Sequence, residues 1–317
     1  MRVAAIDCGT NSLRLLVADT PQEGQVSLSQ VHRSMRVVRL GEGIDATGEF
    51  APAALERTFA VAEEIAAILA PLRPERVRFV ATSATRDAGN REEFMDGVQA
   101  RLGVRPEVIS GDEEARLSFL GATSGVDAGS RERLLVVDLG GGSTECVLGD
   151  GRGVMAARSV DMGAVRFTER FLHSDPPTAE QIAAAEAATL ELLATVEESV
   201  DLASVERVVG VAGTITTVTA HALDLPAYSS EAINGKVLPL GIVEAAASEL
   251  LSWPKHRIAS LPYVHPGRVD VLQAGAVIWR TLLRRLEALT EHRVRSAVTS
   301  EFDILDGIAL DLASRPA

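Results

Sequence analysis

Short apolar runs alternate along this chain with longer stretches of helical spacing, and the alternation occurs twice. Val3-Ala4-Ala5-Ile6 reads as a buried strand and Leu13-Arg14-Leu15-Leu16-Val17 as a second. Residues 26–40 read as a third, ending at Gly41-Glu42-Gly43. Pro52 then opens a helix in which Leu55, Phe59, Ala62, Ile65, Ile68 and Leu69 keep helical spacing as far as Pro71. Residues 76–81 read as a strand, 82–86 as a loop, 106–109 as a short strand and 112–122 as a helix. Between them, Asn90 and Glu93 have capping-box spacing for a helix ending at Leu102. The pattern restarts at mid-chain with strands over 134–138, 144–148 and 154–160, followed by helices near 165–172 and 179–200. A strand over 207–211, helices over 215–223 and 271–289, a strand over 294–298 and a closing helix over 302–313 complete it. Each half is therefore an α/β unit in which a three-stranded meander precedes alternating helices and strands.

The small-residue stretch 124–133, with Gly125, Asp127, Gly129 and Ser130, is the expected crossing between halves. That gives domains over 1–123 and 124–301, with residues 302–317 packing back on the first. At 317 residues, each half is long enough to bury its own core. Hydrophobic residues make up 46% and charged residues 24%, a globular balance. No apolar run approaches the ~20 residues of a membrane span, so no membrane partner is expected. The first strand begins at once and carries an acid at Asp7, which leaves no room for a secretory leader; a cytoplasmic location is expected. Cys8 and Cys146 are the only cysteines and read as core fillers rather than a disulfide framework. A net charge of −13 argues against a nucleic-acid partner. Lys236 and Lys255 are the only lysines, so any polyanion must be held mainly by arginine.

One phrase is written twice. Asp7-Cys8-Gly9-Thr10-Asn11-Ser12 and Asp138-Leu139-Gly140-Gly141-Gly142-Ser143 share D-x-G-x-x-S, each at a strand end before a tight turn into a second strand. Gly and Ser let backbone N–H groups approach a phosphate, and a carboxylate in each copy is available to a metal ion. Ala212-Gly213-Thr214 is a third small-residue turn, placed before a helix. The six histidines lack metal-ligand spacing, and no G-x-x-x-x-G-K-[S/T] phosphate loop occurs.

Several motifs in order resemble the exopolyphosphatase and guanosine pentaphosphate phosphohydrolase family. They are Asp7-x-Gly-x-Asn11-Ser12, Ala81-Thr-Ser-Ala-Thr-Arg86, Ile109-Ser-Gly-x-Glu113-Glu114-Ala-Arg116, Asp138-x-Gly-Gly-Gly-Ser-Thr-Glu145, Gly210-x-Ala-Gly213-Thr and Arg268-x-Asp270-Val-x-x-Ala-Gly275. The resemblance runs over the whole chain and is to the short forms. It implies two ribonuclease-H-like domains of the actin-like ATPase superfamily with a cleft between them, and a homodimer. It implies magnesium-dependent, or manganese-dependent, hydrolysis of the terminal phosphate of inorganic polyphosphate, with guanosine pentaphosphate as a second substrate. Carried over by position, Glu114 is the general base for water and Arg86 lies on the phosphate path. Asp138 and Glu145 hold the metal, with Asp7 beside it. Asn11, Ser12, Gly141, Gly142, Ser143, Gly213 and Thr214 cradle phosphate. The chain departs from the family near its end, where Asp303-Ile304-Leu305-Asp306-Gly307 replaces a G-A-x-R-E-G pattern and lacks its arginine. An ATP-dependent kinase or ATPase of the same superfamily and a non-catalytic polyphosphate or alarmone sensor are the competing readings.

Overall fold

The computed structural model describes residues 1–20, 28–124 and 129–315. The chain divides into two compact units, one of Met1–Gly125 with Asp303–Ala317 and one of Val126–Phe302. Val26, within the expected third strand, and Gly125 and Asp127, within the expected crossing, lie outside the described residues, as do the last two.

The first unit is built on β1 (Arg2–Cys8), β2 (Ser12–Asp19), β3 (Ser29–Val37), β4 (Arg76–Ala81) and β5 (Glu107–Val108), in the order β3-β2-β1-β4-β5. The first three strands pair antiparallel, while β1–β4 and β4–β5 are parallel. Successive side chains of a strand point to opposite faces. On β1, Ala4, Ile6 and Cys8 enter one core with Leu55, Ile65 and Leu69 of the helix Pro52–Leu72 and with Phe79 and Phe94. Val3 and Ala5 enter another, formed with Leu117 of the helix Gly111–Ala122 and with Ile304, Leu305, Ile308 and Leu312 of the helix Ile304–Ser314. These two helices cross closely. A Cβ on Gly121 would strike the Asp303 carbonyl, and one on Gly307 would strike the Leu117 carbonyl.

The second unit carries β6 (Leu134–Leu139), β7 (Thr144–Asp150), β8 (Gly153–Val160), β9 (Arg207–Val211), β10 (Lys236–Pro239) and β11 (Ser296–Thr299), in the order β10-β11-β9-β6-β7-β8. Setting aside the antiparallel edge strand β10, both sheets have one design: a meander whose first strand is continued by two parallel strands. Both units are ribonuclease-H-like α/β domains. The core of the second gathers around the helix Leu272–Leu289, with Trp279 buried against Gly210 of β9.

Several local expectations are corrected. The helix Arg91–Leu102 begins after Asn90, but the Asn90 side chain does not cap it. Its Oδ1 accepts from Phe50 N at 2.8 Å and its Nδ2 donates to Phe50 O at 3.1 Å, a better use of a planar amide than one helix N–H. Residues read as a loop before Asn90 contain a helical turn, Ser83–Asp87. The closing helix starts at Ile304 rather than 302, because Asp303 and Asp306 form a capping box. Residues 224–270, which show little periodicity, hold β10 and the helix Leu240–Ser252, whose N-cap is Pro239 without a side-chain hydrogen bond. Cys8 and Cys146 are buried and free. Among the described residues, no helix is long and apolar enough to cross a membrane.

Candidate active site

Strand parity places the first carboxylate. Asp7 shares the face of Val3 and Ala5, where the helices Gly111–Ala122 and Ile304–Ser314 pack, and is 2% exposed. Directly across β1–β2 stands Arg14, whose Nε donates to Asp7 Oδ2 at 2.8 Å. The same guanidinium pairs through Nη1 with Asp303. Asp7 Oδ1 is buried and accepts no hydrogen bond from any described residue. Burial pushes the Asp7 pKa up, against the pull of Arg14 and with the push of Asp303.

Glu114 lies on the first turn of the helix Gly111–Ala122, where Ser110 Oγ accepts Glu113 N at 3.2 Å as N-cap. Its neighbour on that turn does other work: Glu113 ion-pairs with the buried Arg78 and with the exposed Arg116. Glu114 is buried, and its Oε2 receives Arg86 Nη1 at 2.7 Å. Arg86 Nη1 also donates to Ile109 O at 3.1 Å, while its Nε and Nη2 have no partner among the described residues. Burial raises the Glu114 pKa, Arg86 opposes that rise, Asp7 adds to it, and a hydrogen bond with Thr82 lowers it. The arrangement is a desolvated carboxylate held by a guanidinium with hydrogen-bonding capacity to spare.

The second unit repeats the hairpin with one change of charge. Gly140 N donates to Ser143 O at 3.0 Å, as Gly9 N donates to Ser12 O at 3.0 Å in the first. Asp138 faces Glu145 across β6–β7 in the register where Asp7 faces Arg14. Both acids are buried, and Ser159 Oγ donates to Glu145 Oε1 at 2.7 Å. Two carboxylates completed by phosphate oxygens and waters are a donor set that suits Mg²⁺. No cluster of three or more His, Cys, Asp or Glu side chains suited to a metal occurs among the described residues.

Carbonyls of both hairpins are tied back onto the segment after the third strand. In the second unit, Gly140 O accepts Ala164 N at 3.0 Å, Gly141 O accepts Val165 N at 2.8 Å, and Gly142 O accepts Arg166 Nε at 2.9 Å. In the first, Thr10 O accepts Gly41 N at 2.9 Å and Asn11 O accepts Val38 N at 3.0 Å. A glycine makes each approach close. A Cβ on Gly163 would strike the backbone of Gly141, and one on Gly41 would strike the side chain of Thr10, the residue equivalent to Gly141. The N–H groups of Gly141 and Gly142 donate to no described residue. A turn with its acceptors engaged and its donors unused has the hydrogen-bonding pattern that an anion cradle needs.

A third donor edge lies after β9. Ala212, at φ +73°, turns the chain into the helix Gly213–Ala222. The Arg268 side chain packs so close over Gly213 that a Cβ there would collide with its guanidinium. Thr217 Oγ1 donates to Gly213 O at 2.6 Å, and Tyr228 OH donates to Glu301 Oε1 at 2.6 Å while its oxygen accepts from Thr216 Oγ1 at 2.9 Å.

The residues singled out from the sequence thus fall into two groups, each within its own unit: Asp7, Asn11, Ser12, Arg86 and Glu114 in the first, and Asp138, Gly141, Gly142, Ser143, Glu145, Gly213 and Thr214 in the second. Sequence reasoning missed Arg14, Asp303, Gly41, Gly163 and Arg166. Arg14 had a readable signal, since it follows Asp7 by the seven residues that separate Glu145 from Asp138. Gly41 and Gly163 had none, because their role depends on a tertiary approach.

Comparison with known proteins gives the family. Residues 17–307 match the Ppx/GppA phosphatase family. The chain belongs to that family. It is 45% identical to Exopolyphosphatase 2 of Mycobacterium tuberculosis over 318 aligned residues, covering 98% of each chain. Among solved structures it is similar to an exopolyphosphatase-like protein, with 44% identity and a TM-score of 0.93 over 98% of this chain and 97% of that one. It is also similar to the Aquifex aeolicus PPX-GPPA enzyme, with 31% identity and a TM-score of 0.80 over 98% and 99%. This family member is thus a phosphatase-type hydrolase, and the kinase and sensor readings fall away.

Proposed function

We propose that this chain is an exopolyphosphatase, releasing the terminal phosphate of inorganic polyphosphate to water. The observation that carries the reading is the hairpin Gly140–Ser143: its carbonyls are bound from behind and its N–H groups are left for an anion. Its fellow Asp138 faces Glu145 in the register where the other hairpin has an arginine. The substrate class follows the full-length likeness to the mycobacterial protein.

Phosphoryl transfer needs an oriented nucleophile and neutralisation of the transferred group. Glu114, desolvated and steered by Arg86, accepts the proton of the attacking water, and Asp7 Oδ1 is a second acceptor that orients it. Gly141, Gly142, Ser143, Gly213 and Thr214 bind phosphate oxygens in the second unit, and Asn11 and Ser12 do so in the first. Arg86 meets phosphate with the N–H groups that Glu114 does not use. Asp138 and Glu145 hold Mg²⁺ or Mn²⁺, which when bound supplies charge neutralisation on the phosphate. Guanosine pentaphosphate as a second substrate, a homodimeric assembly and a cytoplasmic location belong to the same proposal.

Phosphate release from long polyphosphate, tripolyphosphate, guanosine pentaphosphate and ATP, with and without magnesium, tests it. Polyphosphate is expected to turn over fastest. Glu114→Gln is expected to lower turnover by about 10²–10⁴-fold while binding stays within a few-fold, because the amide keeps the shape and loses the base. A variant retaining more than half the parent rate removes Glu114 from the mechanism.

A further inference from the structure

The strands β6, β9 and β11 lie side by side and run parallel, so their N-terminal ends share one edge of the second sheet. The phosphate-binding turns of this unit follow the opposite, C-terminal ends. On the N-terminal edge is an open recess of about 550 Å³, lined by Arg131, Arg133, Arg293, Asp201, Ser204 and Glu206 among others. Arg133 and Glu206 immediately precede β6 and β9. The length of β6, about 16 Å at the usual strand rise, separates this recess from the hairpin Gly140–Ser143.

The charges of the recess are unevenly committed. Glu206 Oε2 accepts the backbone N–H of Arg133 at 2.8 Å. Arg293 Nη1 is pinned to the carbonyls of Ala203 at 3.2 Å and Val205 at 3.5 Å, which fixes its guanidinium and leaves its other N–H groups without a described partner. The guanidinium of Arg133 makes no hydrogen bond or close ion pair with any described residue, and that of Arg131 makes none either, although its charge is felt by Asp150. In a chain of net charge −13, three guanidiniums converge on this recess against the carboxylates of Asp201 and Glu206, and Glu206 is itself engaged by a backbone N–H. Arginine forks suit phosphate oxygens, and the volume is that of a small-ligand site rather than one phosphate.

We propose that this recess is a second anion site, separate from the active site, that takes a short run of phosphoanhydride-linked phosphates. That ligand has two sources, the distal part of a long substrate chain or a separate oligophosphate. The choice of ligand rests on the exopolyphosphatase reading; the site itself rests on the recess.

The test uses Arg131→Ala/Arg133→Ala in the full chain, since neither guanidinium hydrogen-bonds to another described residue and Asp150 keeps its ion pair with Arg152. If the recess grips the distal part of the substrate, KM for long polyphosphate rises about tenfold, as for loss of charge-assisted contacts, while kcat and both constants for tripolyphosphate stay unchanged. If it takes a separate oligophosphate, calorimetric titration of Glu114→Gln protein with tripolyphosphate shows two binding events, one of which is lost with the arginines. An unchanged long-chain KM together with unchanged titration stoichiometry and affinity overturns the site. Failure of the parent to hydrolyse any polyphosphate defeats the functional reading instead, and the titration still decides the recess.

Discussion

Arg14 stands opposite Asp7 on β1–β2 and donates to its buried carboxylate, at the register where β6–β7 has Glu145 opposite Asp138. Two copies of one hairpin thus carry opposite charge at one position, and the first hairpin holds its own counter-ion. The pair is well enclosed, with side-chain exposures of 21% for Arg14 and 3% for Asp7. Arg14→Met leaves Asp7 and Asp303 buried without that cation, and is expected to cost about 3–5 kcal/mol at neutral pH. The loss should shrink as pH falls. Removing Arg14 raises the Asp7 pKa further, so the carboxylate of the variant is neutralised sooner on acidification. Denaturant unfolding at pH 7 and pH 5 reads both effects; a cost below about 1 kcal/mol at pH 7 would show that the pair contributes little.

Arg86 is expected to set the acid limb of the pH profile. Burial raises the Glu114 pKa and Arg86 pulls it back. A general base must be ionised, so kcat/KM falls as pH drops through that pKa. Arg86→Gln removes the cation and moves the limb to higher pH. Arg86→Lys keeps the charge and moves it less, but loses the fork, so its apparent KM for a short polyphosphate rises by about 10-fold or more. Identical acid limbs in the parent and both variants would mean that Glu114 is not the titrating base.

The metal site proposed above lies in the second unit. Asp138→Asn and Glu145→Gln replace charged oxygens by neutral amides, poorer partners for a hard dication. The magnesium concentration giving half-maximal rate is expected to rise by about tenfold or more in each variant, since one charged ligand is lost. Midpoints equal to the parent in both would place the metal elsewhere.

The meanders, the parallel strands and the doubled D-x-G-x-x-S phrase were legible because they follow period-two burial and local turn chemistry. So was the place of Glu114, one turn beyond a strand, where Ser110 caps the helix. The capping box at Asp303–Asp306 stood in the sequence but was masked by comparison with a family pattern whose arginine is missing. Asn90 shows the converse: the spacing was right, yet a tertiary partner, the backbone of Phe50, captured the side chain. The motifs put Arg86 forward for phosphate contact but not as the partner of Glu114, because that ion pair joins residues 28 apart in sequence through the fold of the β4–β5 edge.

The glycines behind the hairpins give a contrast that geometry alone decides. Gly163→Ala and Gly41→Ala each add one methyl group at equivalent places in the two units. At Gly163 the methyl would meet the carbonyl and backbone carbon of Gly141 and the backbone nitrogen of Gly142. Backbone cannot rotate aside, so the hairpin must shift, and the N–H groups proposed to bind phosphate shift with it. At Gly41 the methyl meets the Cγ2 and Cβ of Thr10 and the Cβ of Ala84, and a side chain is easier to displace than a turn. Gly163→Ala is therefore expected to lower kcat/KM by about 10²-fold, the usual penalty for displacing a binding group by about an ångström, with Gly41→Ala much milder. Steady-state kinetics on tripolyphosphate, with circular dichroism to confirm that both variants fold, make the comparison. Equal activity of the two variants would mean that the second hairpin does not need its position behind Gly163 to hold phosphate.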